Sequence, residues 1–227
     1  MNLVTLLAVS LTTLPQTPAC PDSRQHSEVV SQAEASLGAS LPVYVFCVYG
    51  VVDEKSVWLS SIGVYEESTG RHVEELSPPK YLKDALGLFF LSEIEGSALR
   101  PKLVDFNFDG YLDVSLLAYR GATGNSGSNI WLFQPNENTF VYNDALSTAG
   151  QLHLDPERRE LTSRSNGGHS GRIYSTSVYR WIGGKVTEVR HESQDWDKER
   201  NCYDFRVWEW QDGQLVEKVR KCAPIHR

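Results

Sequence analysis

The stretch Leu103–Leu117, "LVDFNFDGYLDVSLL", sets Asp105, Asn107, Asp109 and Asp113 between two apolar runs. Acids this close repel one another, and Gly110 supplies the freedom for a sharp bend after the third polar side chain. Such a bend turns several oxygens toward one centre, and the backbone carbonyl of Tyr111 adds another. With no His or Cys nearby, an all-oxygen set suits a hard cation, and a flexible loop suits Ca2+ over Mg2+. An EF-hand would need flanking helices and a Glu at the twelfth loop position. That position is Leu116, and "YLDVSLLAY" alternates as a strand does. The stretch therefore predicts a strand–loop–strand calcium site at Asp105, Asn107, Asp109, Tyr111 and Asp113, in an all-β chain.

Working outward, aromatic and branched runs punctuated by turn residues repeat the β signal. "SVWLSSIGVYEESTGRHVEEL" predicts a strand pair around Ser68-Thr69-Gly70. "LGLFFLSEIEG" predicts another strand, "NIWLFQPNENTFVYN" turns at Pro135-Asn136, and "STSVYRWIGGKVTEVR" turns at Gly183-Gly184. The segments from Val178 and Val207 share an aromatic-x-Trp-x-x-Gly-x-apolar pattern. That suggests repeated hairpins, as in propeller blades, or two hairpins that each need a turn glycine. The last hairpin is apolar on both sides, with Tyr203, Phe205 and Val207 on one and Trp208 and Trp210 on the other. Such a pair is expected to be covered on both sides. The fold expectation is antiparallel hairpins in a β-propeller-like or two-sheet architecture.

"CYDFRVWEWQDGQLVEKVRKC" runs from Cys202 to Cys222. A three-residue loop Gln211-Asp212-Gly213 would pair Trp210 with Gln214, Phe205 with Val219, Asp204 with Arg220, and Cys202 with Cys222. Directly opposed residues lie within disulfide range, so this register predicts a Cys202–Cys222 bridge and an oxidising compartment. Cys20 and Cys47 stay open: they bridge each other, or Cys20 carries a lipid anchor and Cys47 is a buried thiol.

Residues 1–19 read as a signal peptide, since the apolar run Leu3–Leu14 is too short to span a bilayer and Thr17-Pro18-Ala19 ends in a small residue. The n-region has no Lys or Arg, and Thr17 stands where a lipoprotein signal normally has Leu. Residues 20–40 read as a linker with a short helix over Ser27–Leu37, and 41–227 as the all-β calcium-binding domain.

Charge narrows the partners. The chain has 227 residues and a net charge of −7. Residues 1–150 hold 8 Lys and Arg against 17 Asp and Glu, whereas 151–227 hold 14 against 12. With no basic block, a nucleic-acid partner is not expected. Neither is zinc chemistry, because the six histidines are scattered without ligand spacing. The pairs Glu66-Glu67 and Glu74-Glu75 point to opposite strand faces and make no catalytic carboxylate pair. "GNSGS", Gly124–Ser128, is like the stretch around the serine of trypsin-like proteases. The upstream His26 and His72 sit in no matching context, and His72 to Ser126 is too short for two barrels. The chain therefore reads as non-enzymatic.

Three resemblances bear on partners. The acidic loop resembles the Asp-x-Asp-x-Asp-Gly-x-x-Asp calcium loop of FG-GAP and integrin-type propeller repeats, with Asn107 in place of the second Asp. Ser170-Gly171-Arg172-Ile173-Tyr174 resembles the Ser-Gly-x-x-Tyr element of periplasmic lysozyme inhibitors, whose loop enters the hydrolase cleft. More widely, the order "DFNFDGYLDV", "NIWLFQPNENTFVYN", "LDPERRELTSRSNGG", "STSVYRWIGGKV" is similar to bacterial FG-GAP-like envelope proteins. That group includes immunity proteins that neutralise peptidoglycan hydrolases delivered by type IV secretion. The resemblance implies an exported protein of the periplasm or envelope that inhibits a lysozyme-like hydrolase, with His169, Ser170, Gly171, Arg172 and Tyr174 at the contact. The alternative is a calcium-stabilised adhesion or carbohydrate-binding module using exposed aromatics such as Trp196.

Overall fold

The structure is a computed structural model that describes residues 20–21, 27–53, 56–79, 91–92, 99–121 and 123–224. The expected signal peptide and most of "LGLFFLSEIEG" lie outside the described residues.

Strands β1 (Glu28–Ser36), β2 (Val43–Asp53), β3 (Ser56–Glu66) and β4 (His72–Leu76) form the first sheet in chain order, with β5 (Leu91–Ser92) also paired to β3. Strands β6 (Lys102–Val104), β7 (Asp113–Arg120), β8 (Ser126–Gln134) and β9 (Thr139–Tyr142) form the second. A short helix α1 (Asp144–Thr148) leads to the third sheet: β10 (Gln151–Asp155), β11 (Glu160–Gly168), β12 (Ile173–Ile182), β13 (Lys185–Asp197), β14 (Cys202–Gln211) and β15 (Gln214–Pro224). The strand pairings are antiparallel, so the all-β expectation holds in the form of three successive meanders.

Period-two alternation explains how the sheets stack. Tyr44, Phe46 and Val48 on β2 join Val114 and Leu116 on β7, and Trp131 and Phe133 on β8, in one buried cluster. The other side of β8 sends Ile130 and Leu132 to Leu146 of α1, Leu161 of β11 and the half-buried Tyr179 and Trp181 of β12. The middle sheet therefore lies between the first and the third. Its strand β8, "SGSNIWLFQ", is apolar at consecutive positions for that reason. The turn predicted at Gly183-Gly184 is present, with both glycines at positive φ between β12 and β13.

Three expectations are corrected. Ser27–Leu37 is not helical: Glu28–Ser36 is strand β1, paired to β2 from Glu28↔Gly50 to Ser36↔Val43. A helix there would bury only Val30, Ala33 and Leu37, whereas the strand gains a ladder. Adjacent strand residues point to opposite faces, so Val29 and Val30 serve two different clusters. The last hairpin closes through a two-residue turn, Asp212 and Gly213, at φ 48° and 91°, with Gln211 opposite Gln214. Positive φ at both positions gives a turn that matches strand twist. Trp210 thus faces Leu215. An irregularity between Val207 and Trp208 shifts the rest, so Phe205 faces Lys221, Asp204 faces Cys222 and Cys202 faces Pro224. The Cys202–Cys222 disulfide nevertheless forms, on the diagonal, with Cα atoms 5.5 Å apart. Finally, this hairpin is not covered on both sides: Val207 is buried, but Trp210 is 38% exposed.

Cys20 and Cys47 form the second disulfide. With its sulfur bonded to Cys47, Cys20 has none free for a thioether lipid. No described cysteine is free, as befits an oxidising compartment. Among the described residues no helix is long and apolar enough to cross a membrane.

Candidate functional site

The acidic loop joins β6 to β7, as strand–loop–strand. Its side chains fold the loop onto itself. Asp105 accepts the N–H groups of Asp109 (3.1 Å) and Gly110 (2.9 Å). Asn107 Oδ1 accepts Asp109 N–H, and its Nδ2 donates to Asp109 Oδ2 at 2.8 Å. Asp109 Oδ1 accepts Tyr111 N–H at 2.9 Å. Gly110, at φ 92°, makes the bend the sequence asks of it.

Asp113 stands apart. It is fully buried and accepts the N–H groups of Phe106 (2.8 Å) and Phe133 (2.9 Å). Burial pushes its pKa up to about 7 against the pull of those two bonds, and the charges of Asp109 and Asp105 push the same way.

As for a cation, the donor chemistry is all oxygen, and an oxygen that accepts one N–H keeps a second lone pair. In this arrangement, among the described residues, no group of three or more His, Cys, Asp or Glu is placed to hold a metal ion. The carboxylates here act as acceptors for the loop's own backbone.

The loop is also where the sheets meet. Leu112 N–H donates to the carbonyl of Leu37, just past β1, at 2.9 Å. Tyr111 packs on Phe133, with ring centroids 6.0 Å apart. From the third sheet, Trp181 Nε1–H donates to the Phe106 carbonyl at 3.0 Å. Arg159 donates to the Phe108 carbonyl at 2.7 Å and lies over the Phe108 ring. Trp181 and Arg159 carry no local sequence signal for this role, because their partners lie more than fifty residues upstream.

The second expected site is the β11–β12 tip. Gly168, His169, Ser170 and Gly171 have φ of 118°, 48°, 55° and 82°. Two consecutive non-glycine residues in the left-handed region cost roughly 1–2 kcal/mol each. His169, Ser170, Gly171 and Arg172 are exposed. Tyr174 is not at the tip: it is a half-buried ladder residue between Asn166 and Gln194. Its hydroxyl donates to Glu192 at 2.9 Å, and Arg164 lies 5.0 Å from its ring centroid. Burial and then the Glu192 carboxylate raise its pKa.

Behind the tip stands an aromatic cluster. His169 lies 6.3 Å from Trp196 and 6.2 Å from Tyr203, and those two rings are 5.1 Å apart. Arg172 sits 5.7 Å from the Tyr203 ring. Trp196 and Tyr203 oppose each other across the turn between β13 and β14. Sequence reading missed Tyr203 as Trp196's partner; their equal distance from that turn is the signal that could have found it.

Just beyond Tyr203, buried Asp204 is held by Arg200, Arg206 and Arg220. The hydrogen bonds of Arg220, then of Arg206 and Arg200, hold its carboxyl well below the usual range.

Ser126 lies on β8 opposite Arg120. Ser177, His191 and Glu188 do come together, but the serine and the glutamate both approach His191 Nδ1, at 3.0 and 2.9 Å. A serine–histidine–acid relay needs both ring nitrogens, so this trio cannot act as one.

No protein-family model and no curated protein matches the chain. A solved structure does. The fold is similar to that of a Xanthomonas type IV secretion system related protein. The likeness has a TM-score of 0.56 at 16% identity and covers 83% of this chain and 93% of that one. At that identity the likeness is one of fold.

Proposed function

We propose that the chain is an exported recognition protein that acts by binding, as an inhibitor or immunity protein against a lysozyme-like peptidoglycan hydrolase. The observation that carries this reading is the tip His169–Arg172: exposed, backbone-strained and backed by Trp196 and Tyr203. Strain at an exposed loop is spent where a particular shape must be presented. Glycines let the backbone approach closely, while Ser170, His169 and Arg172 offer donors to catalytic carboxylates. Tyr174 supports the wedge from within the sheet through Glu192. The fold likeness to a type IV secretion system related protein fits this reading. Ca2+ belongs to the proposal as a structural ion, bound through second lone pairs of Asp105, Asn107, Asp109 and Asp113 and the Tyr111 carbonyl, and stiffening the bend where the sheets meet.

The test is inhibition of a lysozyme-like hydrolase by the mature chain, with a pull-down from envelope extract in calcium and in chelator. Loss of inhibition in His169→Ala/Ser170→Ala or Ser170→Ala/Tyr174→Ala supports the wedge, and full inhibition by both rejects it. A carbohydrate-binding module is the second reading, favoured by the Trp196–Tyr203 pair. Retention on a peptidoglycan resin without effect on hydrolases would select it.

A further inference from the structure

Between the middle and third sheets lies a cleft of about 360 Å³. The strand alternation builds it: Lys102, Ser115, Leu117, Ser126 and Ser128 line one wall, and residues of β10, Leu152 among them, line the other. Its size falls in the range of small-ligand sites. Its charge runs against that of the protein. The chain carries a net −7, and residues 1–150, which supply this wall, are its more acidic part. Yet no described Asp or Glu lines the cleft, while Lys102 and Arg120 do. Both cations are exposed, and neither forms an ion pair with another described residue. Seven Arg residues elsewhere in the described chain do engage a carboxylate, among them Arg180 with Glu160 and Arg220 with Asp204.

We infer that this cleft binds a small organic anion, its carboxylate or phosphate held by Lys102 and Arg120 with the Ser126 and Ser128 hydroxyls, and its apolar body on Leu117 and Leu152. Arg offers a flat fork to either head group and Lys a point charge, so two different cations bracket one anion from two strands. The serines add donors without adding charge. The inference is independent of the hydrolase reading.

Calorimetric titration of the full chain with 2-naphthoate, 2-naphthyl phosphate and neutral 2-naphthol tests it. At least one of the two anions should bind saturably at one site, and the tighter one assigns the head group. Naphthol should bind about tenfold more weakly or not at all, the worth of a hydrogen bond to a charged group. Lys102→Ala and Arg120→Ala should each weaken the anion about tenfold and leave naphthol unchanged. Ser128→Trp should fill the cleft and abolish binding. Should that variant fold poorly, raised salt must weaken the anion on the unaltered chain instead. Failure of both anions to bind, equal binding of naphthol, or unchanged affinity in both charge variants overturns the inference.

Discussion

Asp113 Oδ1 accepts the backbone N–H of Phe133 at 2.9 Å, so a side chain at the start of β7 completes a ladder position on β8. Its second oxygen holds the N–H of Phe106, which ties the acidic bend to the middle sheet. The acid at this position thus has a structural task whether or not an ion binds. Asp113→Ala leaves two buried N–H groups without partners and should cost roughly 2–5 kcal/mol. Asp113→Asn keeps one acceptor and should cost less. Urea unfolding of the two variants against the parent gives both values, and equal stability of all three would refute the assignment.

Calcium has a separate signature. If the loop takes the ion, a hundredfold excess over Kd raises stability by about 2.7 kcal/mol. Asp109→Ala should abolish the gain, since Asp109 contributes only loop-internal bonds to Asn107 and Tyr111. Coincident melting curves in calcium and in chelator would remove the ion from the proposal.

Ser170 at φ 55° carries strain that glycine would not. Ser170→Gly should stabilise the chain by roughly 1 kcal/mol, as the lost left-handed penalty outweighs the added chain entropy. The same change should weaken hydrolase inhibition, because a relaxed tip no longer holds its shape. A variant that is neither more stable nor a poorer inhibitor would show that the tip is an ordinary turn.

The arginines around Asp204 set an acid limit. A carboxyl whose folded pKa is depressed adds stability that is complete above its unfolded value near 4. That stability declines as the pH falls below the ordinary carboxylate range toward the lower folded value. The melting temperature should therefore drop more steeply below pH 4 in the parent than in Asp204→Asn. The variant should already melt several degrees lower at neutral pH, where three cations face a neutral amide.

Both disulfides close loops of moderate length, 27 residues for Cys20–Cys47 and 20 for Cys202–Cys222. Replacing either pair by serine should cost about 3 kcal/mol on loop-entropy grounds. Thermal unfolding with and without reductant measures the sum.

Where sequence and structure agree, a local signal was decisive. Gly183-Gly184 marks its turn because few other residues adopt those backbone angles. The strand–loop–strand reading of Leu103–Leu117 followed from Leu116 standing where an EF-hand needs Glu. What stayed hidden was non-local. β1 is polar and small-residue rich, and only the ladder offered by β2 makes it a strand. The turn has two residues rather than three, and the irregularity between Val207 and Trp208 leaves no mark in composition, so counting outward missed the register by one residue at Trp210 and by two at Cys202. The bond from Tyr174 to Glu192 has no local sequence mark either, since the partner lies eighteen residues on.

One bend, gripped by Leu37, Phe133, Trp181 and Arg159, governs how the molecule comes apart. Layers laid down one after another could peel from either end, like pages leaving a loose binding. Here the stitch passes through all three layers near the middle of the chain. A cut or a swap at that stitch should loosen the flanking layers together, and heat should undo the stack in a single cooperative event.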